Sequence, residues 1–133
     1  MNELRYKKLF TKFWPGQVTS IENSIASGTP DTVVSFDGAM AWIEFKTIHN
    51  RDIIVRPLQR NFIKKEFRVG GRVYISWHGE TEPCMIRGET ILEIDYKLKG
   101  GKLHYPVKEL YPMYRGWDEI FSELTGKANV RDT

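Results

Sequence analysis

Apolar residues recur at helical spacing near the start of the chain. Tyr6, Leu9, Phe10, Phe13 and Trp14 share a stripe that Pro15-Gly16 ends, which predicts a helix over residues 2–14. Glu3 falls on the same face as Tyr6, Phe10 and Phe13. Residues 17–25 read as a short strand. Two β-branched and apolar runs, residues 32–36 and 39–47, then flank Asp37-Gly38, a strong hairpin signal. Residues 47–55 read as a polar connection carrying His49, Asn50, Arg51 and Asp52, placed to touch a ligand or move as a flap. Pro57 opens a helix running to about Val69, with Leu58, Phe62, Ile63 and Phe67 as its buried stripe and Gly70-Gly71 as its stop. Residues 72–77 form the next strand. Strand, helix and strand in succession make a βαβ unit, so this strand is expected parallel to the one that carries Glu44.

The second half is less regular. Residues 79–90 are turn-rich, residues 90–98 alternate as a strand, and Lys99-Gly100-Gly101-Lys102 is a turn, so a further hairpin is expected. An aromatic stretch from Tyr105 to Met113 precedes a helix over residues 117–125 that buries Trp117, Ile120, Phe121 and Leu124, and residues 127–133 are a polar tail. The fold class expected is α/β: a mixed sheet with an antiparallel hairpin and one parallel crossover, flanked by helices. A single domain over 1–133 is expected, with a core at about 17–77 and a C-terminal elaboration at about 79–126.

The hairpin register carries the candidate chemistry. With a two-residue turn, Phe36 faces Ala39 and Asp31 falls across from Glu44. The period of two puts Trp42, Glu44, Lys46 and Ile48 on one face. Directly opposed carboxylates, their Cβ atoms about 5 Å apart, repel one another. A hard divalent cation such as magnesium removes that objection, since it takes oxygen ligands at about 2.1 Å and keeps several waters. Lys46 beside Glu44 suits phosphate chemistry, where it orients or deprotonates a water or neutralises a pentacovalent phosphate. A Pro-Asp turn or a Glu-x-Lys strand alone is usually structural. The two in register, on a face that also carries Trp42 and Ile48, favour a site.

Four segments in order, Ser27-Gly28-Thr29-Pro30-Asp31, Trp42-Ile43-Glu44-Phe45-Lys46, Pro57-Leu58-Gln59 and Gly70-Gly71, resemble the PD-(D/E)XK nucleases. The wording is similar to the VRR-NUC branch and covers residues 27–77. The resemblance implies a restriction-endonuclease-like core and a magnesium-dependent DNA endonuclease, with manganese as a substitute. It makes Asp31, Glu44, Lys46 and Gln59 the catalytic set. Asp31, Glu44 and the backbone carbonyl of Phe45 would hold the metal, with either Glu3 or Glu22 as a further acidic ligand. Small phage-type members of the branch look like enzymes for branched DNA, including Holliday-junction resolvases. Cutting two symmetric strands favours a homodimer, with Tyr105, Tyr111, Met113 and Tyr114 as its candidate interface.

Composition narrows the alternatives. Net charge is +3, but its distribution is uneven: residues 51–72 carry seven basic residues against Asp52 and Glu66, while residues 15–50 sum to −3. An acidic focus between basic segments suits an enzyme acting on a polyanion. Arg51, Arg56, Arg60, Lys64 and Lys65 are therefore candidate DNA contacts. A lone Cys84 rules out an internal disulfide, and scattered His49, His78 and His104 offer no zinc spacing. Without an apolar run of membrane-spanning length or a leader segment, a cytoplasmic protein with no membrane partner is expected. A non-catalytic nucleic-acid-binding module and a partner-dependent nuclease subunit fit the charge map as well; the intact Asp31, Glu44 and Lys46 speak for cleavage.

Overall fold

The computed structural model describes residues 1–22 and 27–126, so the polar tail and the end of the strand expected at 17–25 lie outside the described residues. Helix α1 spans Glu3–Phe13, with the Asn2 side chain capping it by accepting from the Arg5 amide at 2.8 Å. Strand β1, Gln17–Ser20, stops before Glu22. Strands β2, Thr32–Phe36, and β3, Ala39–Phe45, form the expected hairpin. Asp37 and Gly38 both take positive φ, 47° and 80°, as the mirror-image turn that matches strand twist requires. Phe36 pairs with Ala39 and Thr32 with Ile43, so the next step of the ladder brings Asp31 to Glu44.

Helix α2, Pro57–Arg68, crosses over to β5, Val73–His78, which runs parallel to β3 with Glu44 opposite Ile75. Its buried stripe differs from expectation. Leu58 and Phe67 are 46% and 52% exposed, whereas Gln59 and Ile63 are buried, because the helix lays its Gln59–Ile63 edge on the sheet. Three further corrections concern short strands. Residues 47–55 hold β4, Asp52–Val55; residues 79–90 hold β6, Pro83–Arg87; and residues 90–98 begin inside a 3-10 turn over Gly88–Glu93, leaving only β7 at Lys97–Lys99 as a strand. β7 pairs with β8, Lys102–Pro106, as the additional hairpin. A two-residue β9, Tyr114–Arg115, leads into α3, Gly116–Thr125.

The central sheet has the order β1-β2-β3-β5-β6-β9, and a second sheet has the order β4-β8-β7. One face of the central sheet buries Val34, Ala41, Ile43, Phe45 and Tyr74 against Tyr6, Phe10 and Trp14 at the N-terminal end and Ile120 and Leu124 of α3. The opposite face buries Val73, Ile75 and Trp77 against Ile63 of α2 and against Ile53, Val55, Leu103 and Tyr105 of the small sheet. Tyr105 is thus a core residue and not an interface candidate; of that aromatic set Tyr111 is the exposed member. No helix among the described residues is long and apolar enough to cross a membrane.

Alternation along β3 sets a testable contrast. Ile43 is 0% exposed and Met40 is 51% exposed. Ile43→Ala should cost about 2–5 kcal/mol of unfolding free energy, and Met40→Ala no more than about 0.5 kcal/mol. Urea unfolding of the two variants measures this, and equal losses would contradict the assigned faces.

Candidate active site

The polar face of β3 emerges beyond the end of the sheet's hydrophobic cover. Trp42 remains packed edge-on against Phe62 of α2, with ring centres 5.3 Å apart. Glu44 and Lys46, further along the same face, line a cavity of about 420 Å3 together with Asp31, Gln59, Arg56 and Lys102. Glu3, Thr47, His49 and Ile54 also line it.

Each member is held by a specific local device. The Asp31 carbonyl accepts from the Ile21 amide at 2.7 Å, and its carboxylate accepts from the Thr32 hydroxyl at 2.8 Å. Gly28, at φ 73°, lets the preceding turn lie against the first turn of α2, where any Cβ would overlap the Leu58 carbonyl. The Lys46 amide donates to the Ser76 carbonyl at 2.9 Å, which continues the β3–β5 ladder to the site. The Gln59 side-chain oxygen accepts from Lys46 Nζ at 3.0 Å and from the Arg56 amide at 2.9 Å. Gln59 is only 5% exposed. Its carbonyl is therefore committed to orienting Lys46 and closing the start of α2. On the other face, the Tyr6 hydroxyl and the Ser76 hydroxyl share a 2.7 Å hydrogen bond, and Ser76 donates on to the Cys84 carbonyl at 2.7 Å. That anchor docks α1 on the sheet and leaves Glu3, one turn earlier, at the cavity.

Burial pushes the Glu44 carboxyl up from 4.5 to about 7, with Lys46 and Arg56 opposing the shift and Asp31 and Glu3 adding to it. Burial likewise lowers the Lys46 ammonium from its ordinary value, against the pull of Glu44, Glu3 and Asp31. Among the described residues no three His, Cys, Asp or Glu side chains converge as a ready-made ligand cluster. The residues present nevertheless suit a hard divalent cation. Two carboxylates, Asp31 just before β2 and Glu44 on β3, line an open cavity, all their donor atoms are oxygen, and a cation of this class completes its shell with water.

The structure thus brings together Asp31, Glu44, Lys46, Gln59, Arg56 and Glu3. Of the two alternatives for a further carboxylate, Glu3 lines the cavity and exposed Glu22 does not. Arg51, Lys64 and Lys65 lie outside the cavity. Arg60 is partly buried: its guanidinium sits 6.0 Å from the Tyr96 ring centre, and its Nε is buried. Sequence reasoning missed Lys102 and Ile54; the run Ile53-Ile54-Val55 was the available sign of a strand there.

No family model and no curated protein sequence matches the chain. Among solved structures it is similar to Hjc, a Holliday junction resolvase from the archaeal hyperthermophile Archaeoglobus fulgidus. The TM-score is 0.57 at 10% sequence identity, over 81% of this chain and 86% of that one. The chain therefore has a mixed α/β fold like that resolvase's, in agreement with the PD-(D/E)XK-like core expected from its motifs.

The Glu44 shift has a sign that can be measured. A carboxyl whose folded value lies above its unfolded one contributes stability that is fully present below about pH 4.5 and lost as pH rises to about 7. Lys46, shifted downward, acts in the opposite sense, with stability recovering as pH approaches 10.5. In metal-free buffer Glu44→Gln should remove a fall on the order of 2–3 kcal/mol between pH 4.5 and 7. Urea midpoints across that window test it; a wild-type slope retained by the variant would contradict the upward shift of Glu44.

Proposed function

We propose that the protein is a metal-dependent endonuclease that hydrolyses DNA phosphodiesters, with branched DNA such as a four-way junction as its substrate class. The observation that carries this reading is the gathering of Asp31, Glu44 and Lys46 in one open cavity, with Gln59 fixing Lys46 from beneath. A fold like that of a Holliday junction resolvase supports it, as do the four motif segments that resemble the VRR-NUC branch.

Asp31, Glu44 and the Phe45 carbonyl are the residues that would hold magnesium or manganese, with Glu3 as a further carboxylate on the wall of the same cavity. The bound cation supplies Lewis-acid activation of a water and neutralisation of charge on the phosphate. The chain's own residues do the rest. Lys46, with its proton affinity lowered by burial, is positioned to orient the attacking water and take its proton. Gln59 holds the Lys46 side chain in one place, so that no rotamer search precedes the reaction. Arg56, at the start of α2, lines the same cavity and places positive charge near the phosphate to be cut.

Labelled four-way junction, flap, nicked and plain duplex DNA, incubated with magnesium, manganese or chelator, test the proposal. Cleavage of branched substrates in either metal is expected, with none in chelator. Lys46→Ala, Asp31→Ala and Glu44→Ala should each lower the single-turnover rate by roughly 100-fold or more. Full metal-dependent cleavage by Asp31→Ala or Glu44→Ala would sink the assignment. Binding without cutting in any metal would instead make the chain a nucleic-acid-binding module.

A further inference from the structure

We infer that the outward face of the β4–β8–β7 sheet is a binding surface for a nucleic-acid phosphate backbone, continuous with the cavity, with Lys97, Lys99 and Lys102 as its cationic contacts. This rests on reading the cavity as a nuclease site.

The faces of this sheet follow from burial and register. Ile53, Val55, Leu103 and Tyr105 are buried in the core, so Ile54, Lys102 and His104 stand on the opposite face. Lys97 pairs with His104, and Lys99 with Lys102, which places both β7 lysines on that face too. Ile54 and Lys102 are at the same time walls of the cavity. The row Ile54, His104, Lys97 therefore runs from the cavity wall across three strands to the open edge.

The charge on this face calls for an anionic partner. Within the three strands Asp52 is the one carboxylate, and its oxygen already lies 3.8 Å from His104 Nδ1. Lys97, Lys99 and Lys102 are all exposed. Lys99 and Lys102 are directly opposed across the hairpin, an arrangement that costs stability unless an anion lies over it. Lysines on an edge strand also deter strand addition. That role accounts for Lys97 and Lys99 on β7, but Lys102 is on the middle strand and faces the cavity. Along a strand, alternate residues lie about 7 Å apart. The three ammonium groups can thus follow a backbone leading away from the bond to be cut.

Anisotropy of a labelled junction with duplex arms, in chelator over a range of salt, reads the surface without cleavage. The triple variant Lys97→Gln/Lys99→Gln/Lys102→Gln should bind roughly tenfold more weakly or worse at 0.1 M salt. Its slope of log affinity on log salt should be shallower by about 2–3, while arginine at the same positions should keep the wild-type slope. A glutamine variant with wild-type affinity and slope overturns the surface even if the protein cleaves DNA. Lysine-dependent binding by a protein that cuts nothing in any metal upholds the surface and refutes the nuclease reading. A wild-type protein that binds no DNA at any salt overturns both.

Discussion

Glu44 and Lys46, two residues apart on one face at the end of β3 and both on the cavity wall, set the terms for this molecule. Burial works against the charge on both Glu44 and Lys46, and each is the largest countering influence on the other. Such a pair persists only when its remaining hydrogen-bonding capacity is met. Gln59 meets part of it by accepting from Lys46, and Gln59 can do so only because Pro57 starts α2 at that point and Ile63, one turn on, pins the helix to the sheet. Asp31 and Glu3 line the same cavity, and their charges push the Glu44 carboxyl further up. Left to itself that concentration of charge is unfavourable, which is the physical reason to expect a cation and a phosphate there.

The rest of the fold builds the rim on which this pair sits. The Asp37-Gly38 turn brings Asp31 to Glu44, and the parallel pairing of β3 with β5 carries the ladder as far as the Lys46 amide. Tyr6 and Ser76 fix α1 on one face so that Glu3 arrives at the cavity. On the other face the small sheet supplies Ile54 and Lys102. Two covering layers of different construction thus converge on one opening.

Where local signals agreed with the global arrangement, the chain was readable. The hairpin, its register, the crossover to β5 and the limits of α2 all carry turn and cap residues of defined geometry. The polar face of β3 followed from period two alone. The misses share a cause. β4 and β6 are short, nearly continuous apolar runs next to prolines and glycines, and their strand character comes from partners far along the chain. Ile53-Ile54-Val55 is a strand because residues 103–105 lie beside it. The α2 stripe departs from simple apolar-inward patterning, because the polar Gln59 is buried for its bond to Lys46 while Leu58 is left half exposed. Lys102 was invisible for the same reason as β4, since it reaches the cavity only through the small sheet.

The proposed cation site lies between Asp31 and Glu44 at the end of β3. Anomalous diffraction from crystals equilibrated with manganese reads this directly. A cation bound there gives a peak bounded by the two carboxylates and the Phe45 carbonyl. An ordered Asp31 and Glu44 at saturating manganese, with no peak between them, would contradict it.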